Sequence, residues 1–259
     1  MFKTSEVLTI AVEIGDLLLR NGAEVYRVED TVMHILNAYD ITDCDVYVLS
    51  NGIFASANEH TDDACSMIRH VPLGSVHLGR VSALNQLSRE LCAKECSFDE
   101  AWVRLREYKQ LPVASKAVQI FCCGLGSGCF AFLFGGTAFD GIAAFFVGAI
   151  LQYYLIMVKK HSPSKFITNI FGSGLVATLS LLLLSCGLPV MHDKIIIGAI
   201  MPLVPGIALT TSIRDLFNGD YLSGAIHLMD ALLTAFCIAV GIGTVITIYQ
   251  FIPGGVLLP

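Results

Sequence analysis

The sequence predicts an α-helical integral membrane domain of five spans preceded by a small cytosolic α+β domain. Three observations predict it. The composition is 54% hydrophobic and 15% charged over 259 residues, the balance of a chain with much of its length in lipid. The charge is uneven: residues 1–116 hold 11 of the 16 basic and 17 of the 22 acidic residues, whereas residues 117–259 hold five of each sign. Five apolar stretches, each near the ~20 residues that a bilayer requires, follow one another after residue 116. The boundary falls near Pro112, giving domains at 1–112 and 113–259.

In the first domain, Val7, Ile10, Ala11, Ile14, Leu17 and Leu18 recur at helical spacing. Asn21-Gly22 breaks that pattern, and Val25, Val28, Val32, Ile35, Leu36 and Tyr39 mark a second helix, so the two form a hairpin. Glu24 stands at the start of the second helix, where the helix dipole favours a carboxylate. Strands are expected at Cys44–Leu49 and Ile53–Asn58, flanking the turn signal Asn51-Gly52, with a third at Ala64–Val71 ending at Pro72. Leu78, Val81, Leu84, Leu87 and Leu91 indicate a further helix. Ser97-Phe98-Asp99-Glu100 fits a capping box that starts a last short helix with Trp102 and Leu105.

The first twenty residues carry Glu6, Glu13 and Asp16 and lack the unbroken apolar core of a secretory signal, so this domain is expected to remain cytosolic. The nine cysteines are single or lie in apolar runs, as in a reducing compartment. Cys92 and Cys96 lie one helical turn apart without a second pair, and the histidines are dispersed, so no metal or cofactor is expected. Basic residues alternate with acids, which argues against nucleic-acid binding. No Gly-x-Ser-x-Gly, Gly-x-x-x-x-Gly-Lys or His-Glu-x-x-His pattern occurs. Glu24 and Glu29 would point about 140° apart on a helix, so they cannot form a carboxylate pair by themselves. Tyr26, Arg27, Glu29, Asp30 and His34 form a polar face, which is either a solvated surface or a docking and gating face.

The five expected spans are Ala117–Phe134, Gly141–Val158, Phe166–Val190, Ile195–Ile213 and Ala225–Phe251. Lys109 and Lys116 precede the first, Lys159, Lys160 and Lys165 separate the second from the third, and Arg214 separates the fourth from the fifth. By the positive-inside rule the amino terminus is cytoplasmic and the carboxyl terminus outside. Gly124-x-x-x-Gly128 and Gly172-x-Gly174 permit close helix approach. Asp140 stands at the mouth of the second span, either on a polar path or as an exposed loop carboxylate. Asp230 lies inside the start of the fifth, where an acid usually faces a bundle interior or cavity.

The fourth span carries the most unusual chemistry, IIIGAIMPLVPGIALTTSIRDLFNGD over Ile195–Asp220. Pro202 and Pro205, followed by Gly206, remove backbone donors and crowd carbonyls in mid-span. A lipid-facing helix would avoid this, because an unsatisfied carbonyl in hydrocarbon costs several kcal/mol. A helix lining a cavity could use it, as the broken helices of transporters do; the alternative is a proline kink filled by its neighbours. Thr210, Thr211, Ser212, Arg214 and Asp215 follow directly. Arg214 is either a carboxylate anchor or an interfacial topology signal.

Taken together, Asn21-Gly22-Ala23-Glu24 with Glu29, the Gly135–Gly141 connection ending in Asp140-Gly141, and Val204-Pro205-Gly206 followed by Arg214-Asp215 resemble the threonine/serine exporter family over nearly the whole chain. Full-length members carry about ten spans. The resemblance therefore implies the larger partner of a split type, in which a second small membrane protein supplies the other spans; a homo-oligomer would be the alternative. One enterobacterial split pair is associated with succinate export. The resemblance implies a cytoplasmic-membrane (inner-membrane) secondary transporter, not an enzyme. It would export a small carboxylate metabolite of the threonine/serine class, with a dicarboxylate as rival. The expected path residues are Asp140, Pro202, Pro205, Gly206, Thr211, Ser212, Arg214, Asp215 and Asp230, with Asn21, Gly22, Glu24 and Glu29 as a cytosolic motif. A membrane-anchored hydrolase using Glu24 and Glu29, or a regulatory scaffold subunit, are the competing functions.

Overall fold

The computed structural model describes residues 3–72, 74, 76–111, 114–159 and 164–251. Pro112 and Lys160, named above, and the residues after Phe251 lie outside these. The chain forms two compact units: residues 1–112 with Thr211–His227, and residues 113–210 with Leu228–Pro259.

In the first unit, helices α1 (Thr4–Arg20) and α2 (Val25–Ala38) precede strands β1 (Cys44–Leu49), β2 (Gly52–Ala57) and β3 (Cys65–His70), followed by α3 (Leu78–Cys92) and α4 (Phe98–Lys109). The strands form an antiparallel meander in which Val48 pairs with Ile53 and Phe54 with Ile68. α1 is the centre of the core. Its expected face is buried, but so are Leu8 and Val12, because the helix contacts α2, α3, α4, β2 and β3. Gly15 permits the closest approach: a Cβ there would lie 2.9 Å from Val32 Cγ2 and 3.2 Å from Ile53 Cδ1. The α1–α2 turn depends on Gly22, whose φ of 85° is left-handed.

The capping box expected at Ser97 is only half formed. Ser97 Oγ accepts from Glu100 N, but the Glu100 carboxylate turns to Arg104 instead of returning to the cap. Charge pairing with an arginine one turn along the helix outcompetes the backbone amide here. The complete capping box lies elsewhere, at Thr137 and Asp140.

The second unit contains α5 (Lys116–Leu133), α6 (Ala138–Val158), α7 (Lys165–Ser185), α8 (His192–Ile200) with a 3-10 turn at Met201–Leu203, the start of α9 (Gly206–Phe217) and most of α10 (Tyr221–Phe251). Four helices, α5, α6, α7 and α10, are long and apolar enough to cross a membrane. α8 with its 3-10 turn and α9 together form a fifth candidate, bent by 59° at the break. The break lies where the prolines require it: Val204 is extended at ψ 127°, and α9 restarts at Gly206. The third span ends earlier than expected, at Ser185 and not Val190, because Gly187 takes φ 75° and turns the chain before Pro189. α10 is 31 residues long, about 46 Å at the helical rise of 1.5 Å per residue.

Small residues set the helix spacing. A Cβ at Gly124 would lie 2.7 Å from Phe145 O, one at Gly128 2.7 Å from Gly141 O, and one at Gly198 2.6 Å from Ser127 O. Asp140 is fully buried, so the exposed-loop alternative is corrected. Its Oδ2 accepts from Thr137 N and Oγ1, and its Oδ1 accepts from Met191 N at 2.6 Å, fastening the start of α6 to the residue before α8.

Gly198→Ala should therefore destabilise the α5–α8 contact by about 1–3 kcal/mol, the usual cost of overpacking. Gly126→Ala, mid-helix at a site with nothing within 4 Å, should instead be neutral or stabilising by up to about 1 kcal/mol. Unfolding curves of both variants in detergent measure the difference.

Candidate functional site

The first unit brings together three segments distant in sequence: the start of α2, the β1–β2 hairpin tip, and Thr211–His227. The turn before α2 is built by its own residues. Asn21 Nδ2 donates to Leu17 O, and Asn21 O accepts from His77 N at 3.0 Å. A Cβ on Gly22 would fall 2.8 Å from Val76 Cγ2. Asn21 and Gly22 thus shape the turn that delivers Glu24.

Glu24 occupies the N-cap position of α2, but its carboxylate caps no backbone amide. It pairs with Arg27, one turn on, at 2.8 Å, and with Arg214 of α9. Glu29 Oε2 accepts from Val48 N at 3.3 Å. Burial pushes the Glu29 carboxyl above the ordinary glutamate range; the Val48 amide opposes this, and the nearby charges of Asp220 and Asp30 add to it. Glu24 and Glu29 both meet the Arg214–Asp220 segment, Glu24 through the Arg214 ion pair and Glu29 through the nearby charge of Asp220.

That segment is shaped by a tight turn. Gly219 has φ 90°, and Asp220 N donates to Asp215 O at 2.9 Å. Asp215 is almost fully buried, with His227 Nε2 3.9 Å from its Oδ2. Ser212 and Ser223 are buried, and Ser223 Oγ accepts from Ser50 N at 3.1 Å. Ser50, Asp220 and Ser223 are members of the cluster that sequence reasoning did not single out. Ser50 has the appearance of an ordinary hairpin-turn residue, and the 173 residues separating it from Ser223 carry no local signal.

The remaining expected residues belong to the second unit or to the break. Pro202, Pro205 and Gly206 define the interruption between α8 and α9. Asp140 is engaged by Thr137 and the Met191 amide. Asp230 is ion-paired with Lys165 at the start of α7. Among the described residues, no group of three or more His, Cys, Asp or Glu side chains could hold a metal ion.

Among the described residues, four long apolar helices and a fifth candidate broken at two prolines are the helices of a multi-pass membrane protein. The family described as "Putative threonine/serine exporter" matches residues 9–249, and the chain belongs to that family. It is 25% identical over 248 residues to a protein of Mycobacterium tuberculosis (strain ATCC 25618 / H37Rv) named "Probable threonine/serine exporter", an alignment covering 92% of this chain and 45% of the relative. It is also 25% identical over 262 residues to the "Threonine/serine exporter" of Corynebacterium glutamicum, covering 98% of this chain and 53% of that protein. The chain thus spans about half the length of these curated relatives. No solved structure matches it.

The raised Glu29 pKa has a definite sign. The folded protein holds that proton more tightly than the unfolded chain, so ionised Glu29 costs stability at neutral pH. The cost is relieved as pH falls through the folded-state pKa toward the ordinary glutamate value. Glu29→Gln keeps an acceptor for Val48 N and should be at least as stable as the parent at pH 7, with the difference shrinking on acidification. Ser223→Ala, which leaves Ser50 N without its acceptor, should cost about 1–3 kcal/mol. Denaturation of the full chain across pH 4–8 checks both.

Proposed function

We propose that this chain is one part of a cytoplasmic-membrane secondary transporter that exports a small amino acid of the threonine/serine class. One observation carries the reading: an apolar span broken at Pro202–Gly206 leads directly into an arginine that is ion-paired with the Glu24 motif residue. Family membership and the printed names of the two relatives support the substrate class.

In this reading α8 and α9 move against their neighbours about the break as access alternates. Thr211, Ser212, Arg214 and Asp215 contact substrate or carry the coupling proton. Asp230 is a second proton carrier, released from Lys165 when it is protonated. Asp140 holds the α6–α8 junction while the break moves. The amino terminus is cytoplasmic and the carboxyl terminus outside, with Lys159, Lys165 and Arg214 on the cytoplasmic side. A second set of spans, from another membrane protein of the family or a second copy of this chain, completes the pathway. That fits a chain matching 45% and 53% of its relatives.

Between the two substrate classes the charge favours the amino acid. Glu24, Glu29, Asp215 and Asp220 outnumber Arg27 and Arg214 around the cluster. A zwitterion brings an ammonium to that acidic surround, whereas succinate brings two further negative charges.

The test is efflux of labelled threonine, serine and succinate from cells lacking their own exporters, with the chain alone and with a candidate family partner. Threonine or serine should leave and succinate should not. Asp215→Asn and Asp230→Asn should each reduce efflux at least tenfold with normal membrane levels. Preferential succinate efflux overturns the substrate class. Efflux with the partner that is insensitive to Asp215→Asn and Asp230→Asn but follows changes on the Tyr26–His34 face favours a scaffold subunit.

A further inference from the structure

The first unit also holds a cavity whose lining shares no residue with the Glu24–Arg214 cluster. The ends of α2 and α3, the chain after β2 and the start of α1 converge on a cavity of about 620 Å³, within the range of small-molecule sites. Its inner wall is apolar: Tyr39 and Phe98 pack with ring centroids 4.9 Å apart beside buried Ile41 and Cys96. Its rim is charged, with Asp40, Asp63, Lys94 and Glu95.

These rim charges differ in their commitments. Asp63 Oδ2 accepts from the amide and hydroxyl of Thr4, and Asn58 Nδ2 donates to Thr4 Oγ1, so that side of the cleft is closed by its own bonds. Among the described residues, the Asp40 and Glu95 carboxylates have no hydrogen bond or ion pair, and the Lys94 ammonium has only the Tyr39 ring, 5.9 Å away.

The backbone singles out the same place. Asp40, Asn58 and Lys94 are the non-glycine residues with left-handed backbone among the described positions, at φ 65°, 56° and 59°, and all three line this cavity. Helices α1, α2 and α3 end in the same way, each with an amide hydrogen-bonded back across the final turn: Ala23 N to Leu18 O, Ile41 N to Leu36 O, and Glu95 N to Glu90 O. The residue in the left-handed position of such a helix end is usually glycine, and α1 uses Gly22. At α2 and α3 the chain places Asp40 and Lys94 there, accepting a backbone cost that a glycine would remove. The cavity thus gathers one acid and one base with left-handed backbone around an aromatic floor.

We propose that this cleft binds a small α-amino acid as its zwitterion, the carboxylate at Lys94, the ammonium between Asp40 and Glu95, and the side chain toward Tyr39 and Phe98. Its use as a cytosolic sensor of the exported substrate rests on the export reading above; the binding itself does not.

The experiment is calorimetric titration of the full chain in detergent with L-threonine, L-serine, the amine 1-amino-2-propanol and the acid 3-hydroxybutyrate. The amino acids should bind, and the two single-charge probes should bind at least tenfold more weakly. Lys94→Gly and Asp40→Gly should each raise the unfolding temperature, by relieving the left-handed backbone, while weakening amino-acid binding at least tenfold. The inference is overturned if neither amino acid binds, if either glycine variant binds like the parent, or if a single-charge probe matches the amino acids. It is also overturned if binding is lost in Arg214→Ala and kept in Lys94→Gly. Export without binding here removes this inference and leaves the export reading intact; binding without export does the reverse.

Discussion

A guanidinium on the helix that resumes after a broken apolar span needs a counter-charge, and Glu24 supplies it for Arg214. The pair contributes little to stability. Arg214 is 51% exposed and Glu24 19%, and half-solvated ion pairs are worth at most about 1 kcal/mol. Its importance is positional. It joins Thr211–His227 to the start of α2, in the segment that also holds buried Asp215 and Ser212 and the bond from Ser50 N to Ser223 Oγ.

The two units obtain their order by different physics. The first is an aqueous-type core in which α1 is surrounded by helices and sheet, so hydrophobic burial organises it. In the second, large apolar side chains such as Phe132, Phe146 and Phe171 face outward, as expected where lipid is the solvent. Close approach of backbone at glycine, and bonds such as Asp140 to Met191 N, then set the arrangement. A carboxylate with both oxygens engaged is tolerated at a fully buried position, whereas Asp230 meets a lysine at a more exposed one.

The helices, the three-stranded meander and the approximate limits of the spans were legible because periodicity and apolar length report them directly. The interruption at Pro202–Gly206 was legible because proline chemistry is local. The end of α7 was not: Leu188, Pro189 and Val190 continue the apolar run, while the left-handed Gly187 ends the helix before them. The half-formed cap at Ser97 was missed because Arg104 competes for Glu100, and the full cap at Thr137 because its acid was read for charge and not for its position three residues on. Within the cluster, Glu24, Glu29, Arg214 and Asp215 stood out through family resemblance. Their meeting could not be read, since Glu24 and Arg214 are 190 residues apart in sequence. Ser50 and Ser223 carry no pattern at all.

If the Glu24 and Arg214 motifs act as one unit, exchanging their charges should restore what either change alone removes. A charge-exchange cycle in labelled threonine efflux tests it most directly, comparing Glu24→Arg, Arg214→Glu and the double exchange at matched membrane levels. Each single change should reduce efflux at least tenfold, and the double exchange should recover much of the loss, a coupling of about 1 kcal/mol or more. Efflux in the double exchange equal to the product of the two single losses would contradict it.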